Sequence, residues 1–235
     1  MKENQCIKYH KWDKITMRNY FKSIKDVLNI KSSQFYIPFY SLYFYVHNTP
    51  LSHKIMDLDR KYYLIHIQKI IKEKYYNSNL ILEGTIYDSG KNINDTRDIF
   101  CKVISILEPI HCINNNYNLI SNSNYHLPSG YNYNTFHKIN DINNTAYIDV
   151  FCSYLFSQLV IHKKLPSFAI FYGSTNGIGD YKYDITEEYE DLRIDKCFNK
   201  NLSKTFNLDV YVSSDEESDD EESDEESDEE SDEES

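Results

Sequence analysis

Apolar positions recur along this chain at helical and strand-like spacings in turn. In residues 14–30, KITMRNYFKSIKDVLNI, Met17, Phe21, Ile24 and Leu28 fall at i, i+4, i+7 and i+11, one face of a helix. Lys14, Arg18, Lys22 and Lys25 flank that stripe. The pattern predicts a surface helix docked by its apolar face; the other reading is a basic helix that meets a membrane surface or a partner. Residues 35–47 are aromatic and β-prone, with Pro38 set against a central strand. Within 51–75, Ile55, Leu58, Tyr62, Ile65 and the pair Ile70/Ile71 recur at helical spacing and predict a second helix.

Next comes a hairpin-like unit: NLILEGTIYDS (79–89), a polar loop (90–96) and RDIFCKVISIL (97–107), closed by Pro109. Residues 113–145 are rich in Asn and Tyr with weak periodicity and predict a long loop. Over 146–161, Ile148, Phe151, Leu155 and Leu159 form a stripe whose neighbours are mostly apolar or small, which predicts a well-buried helix. A strand is expected at 167–172, and a last apolar segment, LDVYV, ends at 212. From Ser213 the chain repeats S-D-E-E with no apolar residue, so nothing there offsets chain entropy and a disordered tail is expected.

Charge changes this picture once it is divided. The 235 residues carry a net charge of −12 at pH 7, but residues 215–234 hold sixteen acids and no base. Setting those aside leaves 21 acids against 25 Lys and Arg, so a mildly basic body carries a strongly acidic tail. The five cysteines show no C-x-x-C spacing and read as reduced thiols of an intracellular protein. The first residues lack the apolar core of a signal peptide, and no apolar run has the length of a membrane span, so neither secretion nor membrane insertion is expected.

Candidate chemistry is sparse. Gly173, Gly177 and Gly179 in FYGSTNGIGDYKYD imitate a dinucleotide-binding turn, but such a turn needs a helix at once after the last glycine. The acidic, stripe-less DYKYDITEEYEDLR that follows argues against one, and the glycines are expected to turn the chain between two strands. The eight histidines show no zinc spacing, and His111-Cys112 stands alone, so no metal is expected. Lys102 sits in the apolar run Ile99–Ile104; it either points to solvent or reaches a phosphate, as the third-strand lysine of protein kinases does with an acid on the following helix. Asp149, expected in the first turn of the next helix, is the candidate partner, although the helix dipole would account for it equally well.

The order IFCKVISILEPI, LPSGYN, KINDINNTAYIDVFCSYLFSQLV, FAIFYGSTNGI and DITEEYEDL resembles the N-terminal part of a giant-virus protein family. That family in turn resembles the small lobe of poxvirus-type virion serine/threonine kinases. The likeness covers roughly residues 80–212 and is most specific over 143–156 and 170–174. It implies an α+β fold, a small antiparallel sheet with packed helices in the manner of a kinase small lobe, plus the disordered tail. The divisions implied are an N-terminal helical and aromatic region (1–78), the body (79–212) and the tail (213–235). Lys102 and Asp149 would stand at the nucleotide-binding pair.

The chain departs from kinases in having no G-x-G-x-x-G before Lys102, no H-R-D and no D-F-G. The expectation is therefore a non-catalytic remnant without a cofactor that works through protein contacts in the virion, viral factory or host cytoplasm. ATP binding through Lys102 is one alternative. The other is an acidic chaperone that holds basic proteins by its tail, with no direct contact to nucleic acid. In the tail Ser213, Ser214, Ser218, Ser223, Ser227 and Ser231 each have an acid three residues on, the pattern an acid-directed kinase accepts.

Overall fold

The computed structural model describes residues 8–40, 56–73, 78–117, 127–129 and 136–210. The chain is α+β, with its described strands distributed over three small antiparallel sheets. Strand β1 (Tyr9–Lys11) pairs with β3 (Met56–Leu58), and β2 (Lys31–Gln34) pairs with β7 (Asn176–Ile178). The third sheet is a meander of β4 (Tyr62–Glu73), β5 (Leu80–Asp88) and β6 (Ile93–Cys101). Helix α1 (Lys14–Leu28) packs on β4, and the other long helix is α4 (Thr145–Ile161). Short helices α2 (Pro109–Ile113), α3 (His137–Asn140), α5 (Tyr189–Leu192) and α6 (Lys196–Asn201) complete the described elements.

Helix α1 forms where its stripe predicts. Asp13 caps it by accepting from the Ile15 and Thr16 amides, and Asn29 ends it in the left-handed region that asparagine tolerates. Its apolar side joins Trp12, Tyr20, Ile24, Phe35, Tyr63, Ile67 and Leu82 in one core cluster. A second cluster gathers Tyr36, Ile37, Tyr40, Leu58, Tyr147 and Tyr154. The segment 35–40 feeds both, Phe35 into the first and its neighbours into the second.

Four expectations are corrected. Residues 56–58 and 62–73 are strands, where a helix was expected. The register of β4 on β5 shifts three times, between Leu64 and His66, Ile67 and Lys69, and Ile70 and Lys72. Each bulge sets an extra residue of β4 against β5, so Leu64, Ile67 and Ile70, opposite the buried Ile86, Gly84 and Leu82, fall three apart rather than two and imitate a helix. The hairpin is tighter than expected. Its turn occupies 89–92, with Asp88 accepting from the Gly90 and Lys91 amides, and the polar residues 93–96 belong to β6. That strand is polar because it is an edge strand exposed from Ile93 to Asp98.

Helix α4 turns a different face inward: Ala146, Tyr147, Tyr154 and Ser157 are buried, whereas Ile148 and Leu155 of the expected stripe are exposed. Residues 167–172 are not a strand: Ser167 and Phe168 lie in a turn and bend, and 169–172 have no regular structure, although the Leu64 amide donates to the Tyr172 carbonyl at 3.0 Å. The expected tail, residues 213–235, lies outside the described residues. No helix among the described residues is long and apolar enough to cross a membrane.

Candidate functional site

Lys102 and Asp149, far apart in sequence, meet at one corner of the body. Lys102 follows the last residue of β6 and is not inside the strand, as was expected. Asn79 accepts from the Val103 amide at 3.1 Å, and Asn144 Nδ2 donates to the Ile106 carbonyl at 2.8 Å. These bonds guide the chain from the meander to the N-cap of α4. Asn144 also accepts from Ala146 there, which starts the helix at Thr145. Asp149 is thus the fifth helical residue, beyond the first turn, and the dipole no longer accounts for it.

Lys102 Nζ donates to Asp149 Oδ1 at 2.8 Å, with the two side chains 53% and 37% exposed. At such exposure the pair contributes at most about 1 kcal/mol. An ammonium has three donors, so an anion can share Lys102 without breaking the pair.

Beside Asp149 and onward along α4, the surface is apolar. Ile148, Leu155 and Phe156 on the helix, with Leu165 and Phe168 beyond its end, are between 39% and 48% exposed. Phe156 and Phe168 stack with centroids 4.5 Å apart and planes at 11°. Ser157 Oγ accepts from the Phe171 amide at 2.9 Å and ties residues 169–172 to the helix. A cleft of about 240 Å3 lies between them, lined by Ser153, Phe156, Phe168, Ala169, Ile170, Phe171 and Tyr172. A second cleft, between α1 and β4, is lined by Asn19, Lys22, Ser23, Asp26 and His66. Neither contains Lys102 or Asp149.

Residues 169–172 are held by a buried ion pair that the sequence did not reveal. Arg60 Nη2 lies 2.7 Å from Asp57 Oδ2, and both side chains are 1% exposed. Arg60 also donates to the Leu58 and Tyr172 carbonyls, and its guanidinium lies over the Tyr63 and Phe171 rings. Burial works against the Arg60 charge, but the Asp57 carboxylate outweighs it and holds the group above its ordinary value. Asp57 accepts from the Leu58 amide and from Trp12 Nε1. Gly173, at φ 139°, passes so close that a Cβ there would sit 2.5 Å from Arg60 Nη2. The signal was the D-L-D-R of 57–60, hidden because the surrounding spacing read as helix. Every polar contact here is internal, so the cluster is a joint between the two cores.

The remaining candidates fall apart spatially. Gly177 lies inside β7, and a Cβ there would meet Ile30 Cγ2 at 2.0 Å; close packing, not the expected turn, explains this glycine. The chain is not helical from Gly179 to Ile185. His111 is held by Glu108 at 3.1 Å and by Asn116 at 3.0 Å. Among the described residues no group of three or more His, Cys, Asp or Glu is placed to hold a metal ion. Cys101, Cys112, Cys152 and Cys197 are free, and burial pushes the Cys101 thiol up to about 11. Ser213, Ser214, Ser218, Ser223, Ser227 and Ser231 lie outside the described residues.

No family model, curated protein or solved structure matches this chain.

Proposed function

We propose that this chain is a non-catalytic binding protein, a kinase-like remnant of giant-virus type that acts through protein–protein contacts. One observation carries the reading: α4 turns Ile148, Leu155 and the stacked Phe156/Phe168 pair outward beside a cleft. Leaving such side chains in water forgoes about 25 cal/mol for each Å2 of apolar surface, a loss that a covering partner recovers. Stacked aromatics at a cleft are also the kind of anchor that dominates binding energy in protein interfaces. The virion or the viral factory in the host cytoplasm is the proposed setting.

The test places a photo-crosslinking residue at Leu155 and, as a control, at exposed Asp98 on β6. A discrete adduct from Leu155 alone is expected. The purified adduct partner should then bind the wild type at least tenfold more tightly than Phe156→Glu. Equal crosslinking from both positions, or equal affinity for both proteins, sinks the reading.

A second reading, nucleotide binding, is favoured by the Lys102–Asp149 pair at the end of a three-stranded meander. It predicts that Mg-ATP at a hundred times its Kd stabilises the wild type by about 2.7 kcal/mol in a thermal shift, and that Lys102→Ala loses the effect. No shift in either protein retires Lys102 as a phosphate ligand.

A further inference from the structure

Helix α1 presents a row of cations that nothing in the described structure neutralises. Lys14, Arg18, Lys22 and Lys25 are spaced four, four and three residues apart, which at 3.6 residues per turn keeps them within roughly a quarter of the circumference. All four are exposed, as are Lys11 before the helix and Lys31 after it. None of the six forms an ion pair with a described residue. Asp13 is engaged by the helix N-terminus, and Asp26 is the one carboxylate within the helix itself. The apolar side of α1 is fixed in the first core, so the cations cannot rotate away from solvent.

We infer that this row is the docking surface for the chain's own acidic segment, residues 213–235, which lies along α1 and shields it from other polyanions. The charges are complementary: sixteen acids without a base face a helix with four cations and one acid. The reach suffices, because 25 residues follow Val210 and, extended, span about 85 Å. A compact body of this size has a radius of gyration of only about 17 Å. Tethering also favours this occupant, since a flexibly linked segment acts at an effective concentration of roughly millimolar. Phosphorylation at Ser218, Ser223, Ser227 and Ser231 would add about −1.5 to −2 charges at each and tighten the contact.

The test uses the full isotope-labelled chain and follows the amide signals of residues 213–235 between 20 mM and 1 M salt. Over that range the screening length falls from roughly 20 Å to 3 Å. Tail signals should move with salt, identically at protein concentrations tenfold apart. Arg18→Glu/Lys22→Glu should abolish at least half of that movement, while Lys163→Glu/Lys164→Glu leaves it intact. The milder Arg18→Gln/Lys22→Gln, which should also reduce the movement, replaces the reversal if the body's own signals change. Tail signals indifferent to salt or to the α1 substitutions overturn the inference. So does a concentration-dependent movement, which places the contact between copies. Single-stranded oligonucleotide bound on α1 at 150 mM salt without release of the tail overturns it as well, because the row would then serve nucleic acid.

Discussion

Asp57 and Arg60, three residues apart where β3 gives way to β4, show how one residue pair can join two cores. Arg60 touches Tyr63 of the first cluster and Phe171 beside the second, and Trp12 donates to Asp57. Removing one member of a buried pair strands a charge, so Arg60→Met is expected to cost about 3–5 kcal/mol in urea unfolding. Asp57→Leu/Arg60→Met should recover part of that loss, because no buried charge then remains. His10 supplies the pH counterpart. Its ring lies 4.7 Å from that of Tyr63, and burial lowers its pKa from 6.5, with Asp59 and Asp57 opposing. The unfolded chain therefore takes up the proton first, so stability is full above about pH 6.5 and falls as the pH drops below it. His10→Gln should flatten the difference in urea midpoint between pH 7.5 and pH 5; an unchanged slope would show that His10 does not carry it.

Elements were legible where one amphipathic period held throughout and illegible where packing broke it. Helix α1 keeps its stripe from Met17 to Leu28, and its cap, Asp13, stands directly before it. Strand β4 was misread because its three bulges give a strand a helical rhythm. Helix α4 was found but turned the wrong way. Its apolar residues surround the axis almost evenly, so no moment points to the core, and the tyrosines that face inward do so because their hydroxyls find carbonyls. Tyr147 donates to Ile139 at 2.6 Å and Tyr154 to Asp59 at 3.1 Å. Adjacent substitutions test this orientation. Tyr154→Ala should cost about 3–5 kcal/mol, as large buried aromatics do, whereas Leu155→Lys should change stability by about 0.5 kcal/mol or less. Equal losses in urea unfolding would place Leu155 in the core.

Across the whole molecule, the two clusters share segment 35–40 and the Asp57–Arg60 joint, so the body should unfold as a unit. The chain has a single tryptophan, Trp12, which lies in the first cluster, whereas Tyr147 and Tyr154 of α4 lie in the second. Fluorescence of Trp12 and far-UV circular dichroism are expected to give one superimposable urea transition. Separated midpoints would mean that the clusters melt independently. Lys102→Ala should leave this transition within about 1 kcal/mol of the wild type, which makes it a clean variant for the Mg-ATP comparison.

The sequence by itself determined helix α1 with its basic row, the β5–β6 hairpin and the split between a basic body and an acidic tail. Those features depend on local period, capping and composition, all of which are written contiguously. It also brought Lys102 and Asp149 under suspicion as a pair, by resemblance. Only the tertiary structure decided that β4 is a strand, which side of α4 is buried, and that Asp57 and Arg60 tie Tyr172 to the core. Each depends on partners distant in sequence: bulges need a neighbouring strand, a helix apolar all round needs a core to choose its face, and a buried ion pair needs the walls that exclude water. The exposed Phe156/Phe168 surface belongs to the same class, since apolar composition does not say which apolar side chains the fold leaves uncovered.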